Sequence, residues 1–167
     1  MNNKVKYLIG LAVVAIVIVI TPLHHVIAII SVKDNRPVAY FRIEPGEEFI
    51  IEFVHSVNKR PVYDYHTIDS GQIVITKSRY DSFGAGMPEY PPEGMQLAAD
   101  RDGMLELSGI NRRMDYITVF VGTVAQHQLH FKQSKIFLAD FVPPGQQLQF
   151  RVMKISLLQM WGGGCLQ

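Results

Sequence analysis

Glu48–Pro88 reads EFIIEFVHSVNKRPVYDYHTIDSGQIVITKSRYDSFGAGMP, and its periodicity decides the fold. In Glu48–Val57, Phe49, Ile51, Phe53, His55 and Val57 alternate with Ile50, Glu52, Val54 and Ser56. A period of two marks a half-buried strand, with the more apolar set facing the core. His55 therefore falls on the inward line, at the end of its strand. Asn58-Lys59-Arg60-Pro61 turns the chain, and Val62–Ile68 continues as a strand. There Tyr63, Tyr65 and Thr67 alternate with Val62, Asp64, His66 and Ile68. Asp69-Ser70-Gly71 is a short turn, and Gln72–Arg79 returns. Returns this tight favour antiparallel hairpins, because a parallel return needs a longer crossover. The stretch ends in a small-residue loop, Ser82–Pro88.

The flanks have the same texture. Val26–Val32 and Val38–Ile43 read as strands around the turn residues Asp34-Asn35-Arg36-Pro37. Glu44-Pro45-Gly46-Glu47 places Pro before Gly at the centre of a type II turn. Downstream, Ser82–Gly103 reads as a long loop. Strands are expected at Met104–Leu107, Met114–Val121, His127–Phe131, Ile136–Phe141 and Leu148–Val152. Ser156–Trp161 suits a short helix, and Gly162-Gly163-Gly164 a frayed tail. About nine short strands with frequent turns and no amphipathic helix predict a mainly β fold, an antiparallel β-sandwich, Ig-like or barrel-like.

The N-terminus has another purpose. Lys4 and Lys6 precede Tyr7–Leu23, 17 residues without a charge. As a helix this run spans about 25 Å, within the range for crossing a bilayer core. It has no polar face, which argues against a buried core helix. The lysines before it favour a cytoplasmic N-terminus and an extracytoplasmic domain. A cleaved signal peptide is the rival reading; the run is long for one and lacks a small-residue cleavage site. The expected organisation is a transmembrane signal anchor with a short juncture over 1–25, a β-domain over 26–155, and a C-terminal segment over 156–167. His24-His25 read as interfacial polar residues. Trp161 is placed either on the sandwich or at the membrane surface.

Composition excludes several functions. The single cysteine, Cys165, cannot form an internal disulfide or a cysteine-based zinc site. A net charge of +1 without basic clusters gives no support for nucleic-acid binding. No cofactor is implied. A hydrolase reading places Ser82 near His55, with Asp64 orienting the imidazole and the Gly84-Ala85-Gly86 amides as an oxyanion site. His55 and Ser56 themselves point to opposite faces and cannot pair. A metal reading uses Asp64 and His66, which share a face at i and i+2. His127 and His130, three apart, suit a helix better than the strand expected there. The structural alternative is that His55, Ser56, Asp64, Gly84 and Gly86 serve turns and bulges.

Together, His55-Ser56-Val57, Pro61-Val62-Tyr63-Asp64-Tyr65 and Ser82-Phe83-Gly84-Ala85-Gly86-Met87-Pro88 resemble an uncharacterised bacterial family. The resemblance covers roughly Val26–Phe131. Asp64 stands where that pattern carries glutamate. The resemblance implies a small extracytoplasmic domain associated with TAXI-type TRAP transporters, and it supplies no catalytic residues. The expectation is a membrane-anchored, non-enzymatic accessory module. It would contact a TRAP permease or solute-binding protein through an end carrying His55, Ser56, Tyr63, Asp64, Ser82, Gly84, Ala85, Gly86 and Met87. A small-ligand or metal-binding domain is the alternative, and a hydrolase using Ser82, His55 and Asp64 the second.

Overall fold

The computed structural model describes residues 2–44, 46–83, 86–162 and 165–166, with only the backbone of Gly162, Cys165 and Leu166. Pro45, Gly84, Ala85, Gly163 and Gly164, which figure in the expectations above, lie outside the described residues.

Helix α1 spans Asn3–Ile20 and buries none of its residues. With a mean hydropathy of 2.1 it is long and apolar enough to cross a membrane, a property shared by membrane anchors and signal sequences. Both lysines lie inside it. It ends before the expected Leu23 because Pro22 forces Thr21 into extended backbone, with ψ at 130°. Only three residues separate it from strand β1 (His24–Ser31).

The remaining strands are β2 (Arg36–Arg42), β3 (Phe49–Val54), β4 (Pro61–Asp69), β5 (Gln72–Tyr80), β6 (Gln96–Ala99), β7 (Leu105–Met114), β8 (Tyr116–Phe120), β9 (Gln128–Phe131), β10 (Ser134–Phe137), β11 (Gln147–Ile155) and β12 (Cys165–Leu166). A 3-10 turn covers Leu138–Asp140, and helix α2 covers Leu157–Gly162. The strands form two sheets. One runs β12-β2-β1-β11-β8 and the other β10-β9-β3-β4-β5-β7-β6. Every pairing is antiparallel except β12 on β2. The fold is the expected β-sandwich.

Two clusters make the core. Between the sheets, Ile27, Ile29, Phe41, Phe49, Leu129 and Phe150 are all fully buried. Phe41 packs edge-on to Phe49 at 5.5 Å and tilts against Phe131 at 4.7 Å. The second cluster is Val62, Tyr80 and Leu107 on the β4-β5-β7 end of the larger sheet. Among the described residues, none of the five-stranded sheet packs there. Met87 and Met95 from the long loop cover it instead, with Phe53, Leu97, Leu105 and Ile110 around them. The Tyr80 hydroxyl donates to the Pro88 carbonyl at 3.1 Å and pins that loop.

Several strand boundaries differ from the sequence expectation. β3 stops at Val54, so the following turn carries Val57 out to 66% exposure instead of inward. Gln96–Ala99, expected within a loop, pairs with β7 as an edge hairpin. The expected strands Met104–Leu107 and Met114–Val121 are joined differently, as a continuous β7 followed by β8 in the other sheet. Gly109 and Asn111, at φ of 80° and 47°, form a bulge within β7 and not a turn. Ile136–Phe141 bends into the 3-10 turn after Phe137, and the tail beyond Gly162 contributes β12.

Candidate functional site

The ends of the sandwich are distinct. His24 pairs with Ile155, so α1 attaches where β11 finishes. At the opposite end Phe120 pairs with Gln147, and the Val121 amide donates to the Gln146 carbonyl at 2.9 Å while the Val121 carbonyl accepts from the Gly145 amide at 2.8 Å. The Val54 amide donates to the Ala125 carbonyl at 2.7 Å, which ties the end of β3 to the same place.

Here the sheets part. A cleft of about 790 Å³ lies between β3–β4 and β8, roofed by the turns at Gly122–Ala125 and Pro144–Gly145. Its walls are mainly apolar, including Ile51, Phe53, Ile117, Val119 and Val124. The polar residues lining it are Ser56, Asp64, His66, Thr118, Thr123 and His127. Asp64 and His66 arrive there because residues two apart on a strand share a face.

The electrostatics of this lining follow from burial. Desolvation pushes the Asp64 carboxyl up, against a 2.7 Å hydrogen bond from the Ser78 hydroxyl and the charge of Arg112. His66 is 3% exposed and stacks on Phe49 at 5.0 Å. Burial lowers its pKa to about 4, against a hydrogen bond to the Asp64 backbone. His127 is lowered by the same cause. Both imidazoles are therefore neutral at physiological pH. Their Nδ1 atoms are buried and make no hydrogen bond. Such atoms carry a desolvation cost within the fold. An apolar cleft with a few convergent polar groups is the usual form of a small-molecule site.

The outer face of the same sheet holds a separate cluster. Glu52, 7% exposed, meets His130 Nε2 at 2.6 Å and Lys135 Nζ at 2.9 Å. Tyr63, paired across the strands with Glu52, stands edge-on to His130 at 6.2 Å. Burial first, and the Glu52 charge next, raise its hydroxyl pKa. His127 and His130 thus serve opposite faces, as a three-residue spacing on extended backbone dictates. Among the described residues, no three His, Cys, Asp or Glu side chains gather to hold a metal ion.

The residues singled out from sequence separate into groups. Ser56 and Asp64 line the cleft. His55, 8% exposed, closes the β3–β4 turn: its amide donates to the Arg60 carbonyl at 2.8 Å, its carbonyl accepts from Lys59 at 3.0 Å, and its Nδ1 accepts from the Val57 amide at 3.3 Å. That turn and the Ser82 loop do converge. Asn58 donates to Ser82 Oγ at 3.0 Å, and Arg60 pairs with Asp81. Ser82 therefore bonds Asn58 while Asp64 bonds Ser78. Tyr63 lies on the outer face, Met87 packs in the second core, and Gly86 has a φ of 87°. Gly84 and Ala85 lie outside the described residues. Sequence reasoning did not select His127, Glu52 or the Gly122–Ala125 and Pro144–Gly145 turns. Strand parity could have found Glu52, as the one acid among apolar residues of β3; nothing local marks the turns.

The domain of unknown function DUF1850 matches residues 49–138. The chain belongs to the DUF1850 family. No curated protein and no solved structure matches the chain. The DUF1850 stretch runs from the first residue of β3 to Leu138, and so takes in the whole seven-stranded sheet together with β8. It also contains the entire cleft lining except Pro144 and Gly145. Helix α1, β1, β2 and β11 lie outside it.

Proposed function

We propose that this DUF1850 protein is a membrane-tethered, non-enzymatic binding domain of a TRAP-type (TAXI) solute transport system. Helix α1 is its anchor, with the N-terminus cytoplasmic and the sandwich extracytoplasmic. The cleft is its binding site, and it opens at the end away from α1. The observation that carries this reading is that cleft: apolar walls around Ser56, Asp64 and two neutral histidines. These groups suit a small organic solute with an apolar body and one or two hydrogen-bonding groups. The same end meets the solute-binding protein or the permease. The TRAP partner rests on the sequence resemblance and the anchor on the helix's length and composition. The separate partners of Ser82 and Asp64 favour recognition over hydrolysis.

Thermal melting of the full chain in detergent, against panels of organic acids, amines and sugars, tests the site. A ligand at about 100 times its Kd adds roughly 2.7 kcal/mol to the folded state and raises Tm. A Gly122→Leu variant blocks the cleft. An added Cβ there meets only Ala125 Cβ at 4.0 Å, and the backbone is not left-handed, so the side chain starts without a clash. The expected result is a shift with one chemical class that vanishes in the variant. Equal shifts in both proteins would refute the cleft. Deletion in cells that left solute uptake and permease abundance unchanged would refute the transport role.

A further inference from the structure

The chain has one tryptophan, Trp161, and it is 93% exposed. An indole so fully in water is costly, and its place in the fold explains it. β11 ends beside the start of β1, and β12 lies beyond β2 on the other side of the same sheet. The segment joining them, α2, thus crosses the end of the sheet from which α1 departs, and it touches α1. Ser156 and Gln159 fix its start through a reciprocal capping box, with the Gln159 amide donating to Ser156 Oγ at 3.2 Å and the Ser156 amide to Gln159 Oε1 at 2.9 Å. Leu158 is 56% exposed, Leu157 40%, and Leu23 at the α1 exit 62%. Ile155–Gln167 carries no charged side chain. Only Thr21-Pro22-Leu23 separates α1 from β1, and three extended residues reach at most about 10 Å. An α1 embedded in a bilayer therefore holds α2 at the headgroup level.

We propose that α2 is a second membrane contact, an interfacial foot whose Trp161 and Leu158 insert into the bilayer that carries α1. This rests on the reading of α1 as an uncleaved anchor. Tryptophan favours that boundary because its ring is apolar while its N–H still meets water and headgroups. The foot turns a single-pass tether into a two-point attachment, so the sandwich holds one orientation and its cleft faces away from the surface.

The lone tryptophan makes the test direct. The full chain is reconstituted into phosphatidylcholine vesicles, with and without brominated acyl chains. Trp161 emission is expected to be blue-shifted, quenched about two-fold by the brominated lipid, and shielded from aqueous acrylamide. Leu158→Asp should move the emission red and open it to acrylamide, while the exposed site leaves Tm unchanged. Emission open to acrylamide in the parent protein would overturn the foot. So would shielding from both quenchers, which would mean a protein surface covers α2. Alkaline washing separates the two readings: a chain that stays in the vesicles without lipid quenching retains its anchor and loses its foot, and a chain that washes off loses both.

Discussion

Acid should destabilise this sandwich chiefly through His66. A group whose pKa is depressed on folding contributes stability above its unfolded value and loses it as pH falls toward its folded value. For His66 the window runs from 6.5 down to about 4. At roughly 1.4 kcal/mol per pH unit the full difference is about 3 kcal/mol, and about 2 kcal/mol of it is gone by pH 5. With the ring 3% exposed, solvent screening takes little from this. For a chain of this size the loss at pH 5 corresponds to a Tm drop of roughly 6 °C. Asp64, whose carboxyl is raised by burial, acts in the opposite sense, contributing at low pH and losing that contribution as pH rises. His127 acts in the same sense as His66. The assay is therefore a comparison: Tm of the full chain in detergent at pH 7.5 and pH 5, for the parent and for His66→Phe. Phenylalanine keeps the stack on Phe49 without titrating. The variant should lose about 2 kcal/mol less than the parent on acidification. Should Phe fail to fold, His66→Gln serves the same comparison. An equal loss in parent and variant would refute the buried, neutral histidine.

Two further outcomes follow from the larger sheet. Glu52→Ala should cost about 3 kcal/mol, since it strands His130 and Lys135 beside a cavity, whereas Glu52→Gln keeps the shape and should cost less; denaturation of the two variants orders them. Gly109→Ala should destabilise by about 2 kcal/mol, because φ is 80° and the new Cβ would lie 3.0 Å from the Gly94 carbonyl oxygen. A melt identical to the parent would contradict the bulge there.

What was legible in the sequence was local. The β3-β4-β5 hairpins showed because alternation runs nearly unbroken from Phe49 to Arg79, and the same parity placed Asp64 beside His66. β6 was missed because Gln96-Leu97-Ala98-Ala99 has no β-branched or aromatic residue; pairing with β7 holds it extended. Residues 108–113, between two expected strands, continue β7, since glycine and asparagine at positive φ serve bulges as readily as turns. The cleft itself was hidden. It is assembled from β3, β4, β8 and two turns up to 94 residues apart, Ile51 to Gly145, and no short-range pattern encodes that meeting. Nothing in the small-residue loop around Met87 signals that it packs in the second core. That loop's task in the fold is to cover an end of the larger sheet that the smaller sheet does not reach.

The place where α1 joins the domain has a mechanical consequence. It feeds into β1, an interior strand bonded to β11 through all eight of its residues and to β2 on its other edge. In the proposed anchored form, tension between bilayer and domain pulls β1 along its own length. The ladders on both sides are loaded in shear, and their hydrogen bonds must fail together. A tether at an edge strand would peel away one pair at a time. Such an attachment resists force, and a pull on the sandwich reaches α1 with little give between.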